Sequence, residues 1–274
     1  MEEIAVLSDV KDKDINKQQE SPTVPLEQSA SSLFHCMEKS EWLCDIIKSK
    51  KLSPRYCIEK TDYLHIGIDE IAFPMICFCD IPLHKLKYHM SWYGKNAIAF
   101  SKDWGISHEL QPILYVSESS EVAKVFTDAF NATKTFNKSA DIEQYKIARD
   151  FLLTSLRYFK PLQGETKGQR RWFTDDCEWR YIAHFKDNIA PNVVIKKEQL
   201  SEIGMEYLNN AIANIPNVGD LLFEYSDIKY LIAETRSDFE KIVAVIDECL
   251  ADNVKVKYEL LSKILLWEEV KGDF

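Results

Sequence analysis

Four polar side chains stand at the ends of predicted elements: His35, Arg55, Tyr93 and Glu178. An imidazole, a guanidinium, a phenol and a carboxylate can together hold an anion and handle a proton. By spacing alone each is a weak sign. A lone His at a strand end is commonly a satisfied structural histidine. Glu178-Trp179-Arg180 reads equally as a surface acid beside its partner base. Ahead of Glu178 runs a loop, Lys160 to Trp172, carrying Lys160, Lys167, Arg170 and Arg171 against one acid, Glu165. Lysine and arginine neutralise phosphates, and Trp172 can stack on an unpaired base; a solvated basic loop would look the same. Asp175, Asp176 and Glu178 are the kind of carboxylate cluster with which a nuclease holds metal ions, but no second convergent set accompanies them. No G-x-G-x-x-G, G-x-x-x-x-G-K-[ST], G-x-S-x-G or H-E-x-x-H occurs, which sets aside Rossmann dehydrogenases, P-loop enzymes, ordinary serine esterases and zincins.

The seven cysteines lie in apolar or mixed surroundings, and the one close pair is Cys77-Phe78-Cys79. Metal sites favour C-x-x-C spacing and need two further ligands. No metal is therefore expected, and the thiols read as reduced and buried in a cytoplasmic protein.

At 274 residues and 46% hydrophobic, the chain can build a core and is not wholly disordered. It shows no apolar run long enough to span a membrane and no secretory signal. The formal charge of −10 argues at first against nucleic acid. That charge is unevenly placed: residues 1–30 carry −4 and residues 198–274 carry −9, leaving +3 on residues 31–197. Acidic flanks can serve solubility alone; the sharper reading is a middle segment that handles an anionic ligand.

The elements that must position these residues follow from pattern. Residues 1–30 read as a disordered acidic arm and residues 31–274 as one domain. Strands are expected at Ser31–Cys36, Phe73–Cys79, Ala97–Phe100, Ile113–Val116, Glu178–His184, Val193–Ile195 and Ile228–Ala233. Helices are expected from Ser40 to Lys50, from a cap at Asp80 to Tyr93 with a stop at Gly94, and from Ser119 or Ser120 with Val122, Val125, Phe126, Ala129 and Phe130 inward. A further helix carries Tyr145, Ala148, Phe151, Leu152, Leu156 and Phe159 on its apolar face, and another runs from a Ser237 cap to Leu250. Strands and helices mix without regular alternation, so the fold class is α+β with a mixed, partly antiparallel sheet.

Leu33-Phe34-His35, a short helix Glu41–Ser49 and Lys51-Leu52-Ser53-Pro54-Arg55-Tyr56 resemble the opening of bacterial ADP-ribosyltransferase-fold proteins, DarT-type DNA ADP-ribosyltransferases among them. Pro74–Leu83, Tyr93-Gly94, Ala97–Gly105, Pro112–Tyr115, Glu178–Tyr181 and the final Trp267–Val270 and Asp273-Phe274 resemble the AbiGi abortive-infection family of phage defence.

The resemblance implies a domain of ADP-ribosyltransferase type that breaks the nicotinamide–ribose bond of NAD and passes ADP-ribose to an acceptor. Glu178 matches the catalytic glutamate, which steadies an oxocarbenium-like ribose and can take the acceptor's proton. His35 matches the first-strand residue that grips a ribose. Tyr93, then Tyr56, would face the nicotinamide. Arg55 would hold the pyrophosphate, and Ser101 ends the strand that matches the family's serine element. The rest of the Ser-Thr-Ser element is missing, and Asp176 is the nearest equivalent of a second acid, so arginine is a poor acceptor. In such a fold the loop before the glutamate lies against the acceptor. Lys160, Lys167, Arg170, Arg171 and Trp172 thus point to single-stranded nucleic acid, RNA ahead of DNA. The phage-defence setting implies an antitoxin or chaperone partner, with residues 1–30 as its handle. The alternative is a non-catalytic antitoxin.

Overall fold

The longest apolar run organises the molecule. In the computed structural model, which describes residues 29–135, 142–183, 195–196, 204–213 and 219–273, that run extends backward to form the ten-residue strand β4 (Glu70–Cys79). The first 28 residues of the expected acidic arm, His184 and Val193 lie outside the described residues. The chain is mixed α and β with a partly antiparallel sheet.

β4 is flanked differently along its two edges. On one, β11 (Glu178–Ile182) runs antiparallel to Met75–Cys79, and β12 (Ile195–Lys196) follows against Ile71 and Ala72. On the other, β3 (Arg55–Lys60) covers Glu70–Met75, and β1 (Ser32–Met37) touches β4 through the pair Phe34 and Cys79. Met75 thus pairs with both Arg55 and Ile182, and Cys79 with both Phe34 and Glu178. β1 and β3 therefore share an edge, and between them Ile76, Cys77 and Phe78 face a split in the sheet. β1 diverges to pair over its whole length with β5 (Asn96–Ser101). Beyond β5 come β14 (Ile228–Ala233) and, parallel to it, β15 (Ile264–Leu266). A two-residue β6 (Gln111–Pro112) closes the outer edge of β11.

Two layers of helices hold this sheet. α1 (Ser40–Ser49) and the Arg236–Cys249 helix bury Leu43, Ile47, Ile242 and Ile246 against Leu33, Ile98 and Phe100. Each such side chain contributes about 1.5–3 kcal/mol on leaving water. α2 (Leu86–Tyr93) buries Leu86 and Met90 against Phe34 and Cys79. Ser101 is the N-cap of the short α3 (Lys102–Ser107), its hydroxyl accepting from the Trp104 N–H at 3.1 Å. α4 (Glu121–Thr135) and α5 (Ile142–Arg157) cover the Phe73, Met75 and Ile182 end.

Several expected details change. On α4 the inward residues are Ala123 and Phe126, with Phe130 half-buried against them, whereas Val122, Val125 and Ala129 are exposed; Phe151 of α5 also faces outward, Leu152 and Leu156 inward. Ser40 is not a cap: its hydroxyl donates to Asp238. Asp80 starts no helix; it accepts from the Ala30 N–H and pairs with Lys102, and α2 begins after a 3₁₀ turn, Leu83–Lys85. Thr235, not Ser237, caps the Arg236–Cys249 helix. Short side chains able to cap recur every few residues here, so pattern alone cannot choose among them. The end of α2 at Gly94 is as expected: its φ is 109°, and a Cβ there would lie 2.2 Å from the Met37 carbonyl group.

The segment read as a basic loop is ordered. β8 (Phe159–Pro161) pairs in parallel with β7 (Leu114–Val116). β9 (Gln163–Thr166) and β10 (Gln169–Trp172) then form a hairpin. Its turn is Lys167-Gly168, with φ of 50° and 75°. Positive φ at both central residues suits the twist of a two-residue hairpin. Outside the main sheet, β13 (Leu221–Leu222) pairs with β2 (Lys51–Leu52).

Candidate active site

The split beside β4 leaves backbone in need of a partner, and His35 supplies one. Its Nδ1 lies 2.8 Å from the Cys77 carbonyl oxygen. A carbonyl only accepts, so Nδ1 carries the proton and Nε2 keeps its lone pair. Desolvation lowers the pKa of the ring, opposed by that hydrogen bond, so the imidazole is neutral near neutral pH. Its ring also tilts against Phe78 at 5.5 Å between centroids.

Period-two alternation puts a row of side chains on one face of the sheet. From β3 these are Arg55, Cys57 and Glu59; from β4, Met75, Cys77 and Cys79; from β11, Glu178 and Arg180. Glu178 is 6% exposed and Arg180 is fully buried. The Glu178 carboxylate accepts from Arg180 Nε and from Lys160 Nζ, each at 2.6 Å. Arg180 reaches on to Glu59 at 2.9 Å and donates to the Arg157 carbonyl oxygen at 2.7 Å. The backbone N–H of Glu178 donates to the Tyr115 hydroxyl oxygen at 2.9 Å. Burial pushes the Glu178 carboxyl upward, but Arg180 and Lys160 overcome it and hold the group well below its ordinary value. Lys160 and Arg180 are shifted oppositely: burial would lower them, and Glu59 and Glu178 raise both. Glu178, Lys160 and Arg180 are all ionised at neutral pH.

A second cluster adjoins it. The Tyr93 hydroxyl donates to Asp176 at 2.9 Å, His89 Nδ1 lies 3.2 Å from the same carboxylate, and Arg171 pairs with it as well. Burial acts to raise the Asp176 carboxyl, yet His89, Lys160 and Arg171 together lower it. Desolvation likewise acts to lower His89, while Asp176 and Cys36 raise it to about 9.

Two cavities open along the split. The inner one, about 210 Å³, is lined by His35, Cys36, Glu59, Tyr93, Lys160, Asp176 and Glu178, among others. The outer one, about 980 Å³, is lined by Arg55, Trp42, Trp92, Lys51 and Lys167. His35, Cys36 and Tyr93 line both. The scattered set His35, Arg55, Tyr93 and Glu178 thus comes together on one pair of adjoining cavities. Aromatic faces, the cations Lys48, Lys51, Arg55 and Lys167 and the acids Glu38 and Asp45 line the outer one, and the surplus of cations suits a flat, anionic ligand.

Other expected residues stand elsewhere. Tyr56, next to Arg55 on β3, points to the opposite face; its ring is buried with Ala72, Leu208 and Ile212. Ser101 caps α3 and lines neither cavity. Arg171 is turned onto Asp176 and over the Trp92 ring, and lines a separate cavity with His89 and Trp92. Lys160 is buried against Glu178 rather than displayed. Arg170 lines a separate cavity beside Tyr63. Lys167 sits at the outer rim, donating to the Trp92 carbonyl oxygen, and Trp172 is 53% exposed. Glu178 and Arg180 do form the acid–base pair their spacing allowed, but inside the fold and not on its surface. Glu59, His89 and Cys36 carried no sequence signal as site residues. The alternation Arg55-Cys57-Glu59 was the available clue, since it sets an acid on the face of Arg55.

Among the described residues no helix is long and apolar enough to cross a membrane. No solved structure matches the chain. Residues 50–234 match the model of the family described as "Putative abortive phage resistance protein AbiGi, antitoxin". That span holds Arg55, Tyr93 and Glu178, with His35 just before it. The curated "Abortive phage resistance protein AbiGi" of Lactococcus lactis subsp. cremoris is 30% identical over 249 residues, covering 81% of this chain and 98% of that protein. The cleft described above is therefore carried by a chain that belongs to the AbiGi abortive phage resistance family.

Proposed function

We propose that this protein is an NAD-dependent ADP-ribosyltransferase toxin of a phage-defence toxin–antitoxin system. The acceptor is single-stranded nucleic acid, RNA ahead of DNA. The observation that carries the reading is the convergence of His35, Arg55, Tyr93 and Glu178 on two joined cavities. The inner cavity has room for one ring and part of a ribose; the outer takes the rest of a dinucleotide, with Arg55 for its pyrophosphate. In the reaction the bond between ribose C1′ and the nicotinamide nitrogen breaks, and its electron pair leaves with neutral nicotinamide. The Glu178 carboxylate stabilises the cationic ribose. The acceptor then bonds to C1′ and loses a proton. Lys160 and Arg180 make Glu178 a poor base, and the neutral His35 Nε2 is the more basic group on the same wall. Lys167 at the cleft rim and the exposed Trp172, at the far end of the same hairpin, remain to meet a nucleic acid. An antitoxin or chaperone would hold the enzyme inactive.

A second reading, a non-catalytic antitoxin or partner protein, is supported by the word antitoxin in the description of the matching family and by a buried cation on each side of the Glu178 carboxylate, as in a network that serves the fold. The two readings part on a single experiment. Purified protein is incubated with NAD labelled in its adenosine half and with RNA, single-stranded DNA and cell protein. Label transferred to nucleic acid, and lost in Glu178→Gln and Arg55→Glu, supports the transferase. Label on protein alone removes the nucleic-acid acceptor, and no NAD binding or turnover leaves the partner reading.

A further inference from the structure

Sequence spacing predicts no metal, yet the fold brings three ligand groups into one place. Phe34 pairs with Cys79, so Cys36, two residues along β1, stands on the same face as Cys79. α2 lies across that face and lowers His89 onto it. One ligand atom from each of Cys36, Cys79 and His89 falls within 4.8 Å of the other two. Around a tetrahedral Zn²⁺ with sulfur at about 2.3 Å and nitrogen at about 2.0 Å, such atoms stand roughly 3.5–3.8 Å apart. The cluster needs to tighten by about 1.3 Å at most.

The surroundings fit a metal better than a lone nucleophile. His89 Nδ1 is engaged by Asp176, leaving Nε2 for a ligand bond, and Asp176 is itself held by Tyr93 and Arg171. A carboxylate behind a ligating histidine fixes its tautomer and orientation. Cys36 with His89 and Asp176 would suffice for a reactive thiol. The second thiol, Cys79, fully buried and beside them, is what a metal adds. Two thiols and an imidazole select zinc over the hard cations that prefer oxygen. Cys36 and His89 also line the inner cavity, so a fourth coordination position would open into it.

We propose that Cys36, Cys79 and His89 form a three-ligand Zn²⁺ site, oriented by Asp176 and open toward the inner cavity. Two protons leave to solvent on binding, one from Cys79 and one from the Cys36–His89 pair, so that His89 ligates as neutral imidazole and the two thiolates neutralise the ion. The site stands whether or not the cleft takes NAD.

The test is metal analysis of the full chain, purified without chelator and with circular dichroism as a check on folding. About one zinc per chain is expected for the unaltered protein and for Cys57→Ser and Cys249→Ser, and strong loss in Cys36→Ser, Cys79→Ser and His89→Ala. Should those variants fail to fold, the unaltered protein is stripped and titrated with Co²⁺. A thiolate-to-cobalt charge-transfer band that Zn²⁺ abolishes supports the site, as does slower alkylation of Cys36 by iodoacetamide when Zn²⁺ is present. Absence of that band, alkylation indifferent to Zn²⁺, or a Cys36–Cys79 disulfide in protein purified anaerobically would each overturn it.

Discussion

Replacing Glu178 by alanine tests the centre of the molecule before it tests any chemistry. On sequence grounds alone Glu178→Ala is expected to silence an enzyme and leave its fold intact. The structure reverses the second half. Removing the carboxylate strips one partner from Arg180, which has no solvent exposure, and one from Lys160, whose side chain is 11% exposed. Glu59 stays with Arg180 at 2.9 Å, but Lys160 keeps no carboxylate among its described ion pairs. Breaking a buried pair by deleting one partner costs about 3–5 kcal/mol, because the other charge is left desolvated. For a domain of this size that lowers Tm by about 6–20 °C. Glu178→Gln keeps the shape and one accepting oxygen, so its loss is nearer about 1.5–3 kcal/mol. Adding Lys160→Met to Glu178→Gln removes the stranded cation and should recover part of that loss, a coupling of about 0.5–3 kcal/mol. Urea denaturation of the unaltered protein, Glu178→Ala, Glu178→Gln, Lys160→Met and the double variant, followed by tryptophan fluorescence, gives these differences and the coupling directly. A Glu178→Ala change of less than about 1 kcal/mol, or strict additivity in the double variant, would refute the buried network. It also follows that loss of cellular effect in Glu178→Ala carries no information about catalysis until folding has been measured.

Other outcomes follow from the same geometry. The folded Glu178 carboxyl lies below its ordinary 4.5; its stabilising contribution is complete above that pH and is lost as pH falls through 4.5 toward the folded value. Melting temperature measured from pH 7 down to 3 should therefore drop on the acid side, and less steeply in Glu178→Gln. Gly94→Ala should lower stability by at least about 1–3 kcal/mol through backbone strain alone, with the 2.2 Å approach to Met37 adding to it; an unchanged melting curve would contradict the close passage of α2 and β1. Tyr93→Phe loses the hydroxyl bond to Asp176 and should cost about 1–3 kcal/mol while leaving NAD affinity nearly unchanged, whereas Tyr93→Ala should weaken it; calorimetric titration with NAD separates the two. Arg55→Glu should weaken NAD binding without a comparable loss of stability, since Arg55 is exposed.

Local signals located much of the framework. The FPMICFC run, the period-3.6 pattern of α1, the strand at Ile228–Ala233 and the stop at Gly94 all express short-range preferences: apolar side chains leave water, and only glycine tolerates the backbone beside Met37. The types of the candidate residues and their placement near element ends were legible for the same reason. Pairing was not. That β1 and β3 share one edge of β4, and that the sheet splits between them, depends on which segments pair, Arg55 with Met75 and Phe34 with Cys79, which no local period encodes. The split turns His35 toward the Cys77 carbonyl, and the register of β11 against β4 carries Glu178 and Arg180 inward together. A one-residue slip there would have placed both on the opposite face. Alternation likewise parted Tyr56 from Arg55, one into the core and the other to the cleft. Composition and local pattern determined which groups were present and what elements bore them. Tertiary pairing decided which groups meet, because charge partners and cavities are properties of juxtaposed surfaces and not of any single stretch of chain.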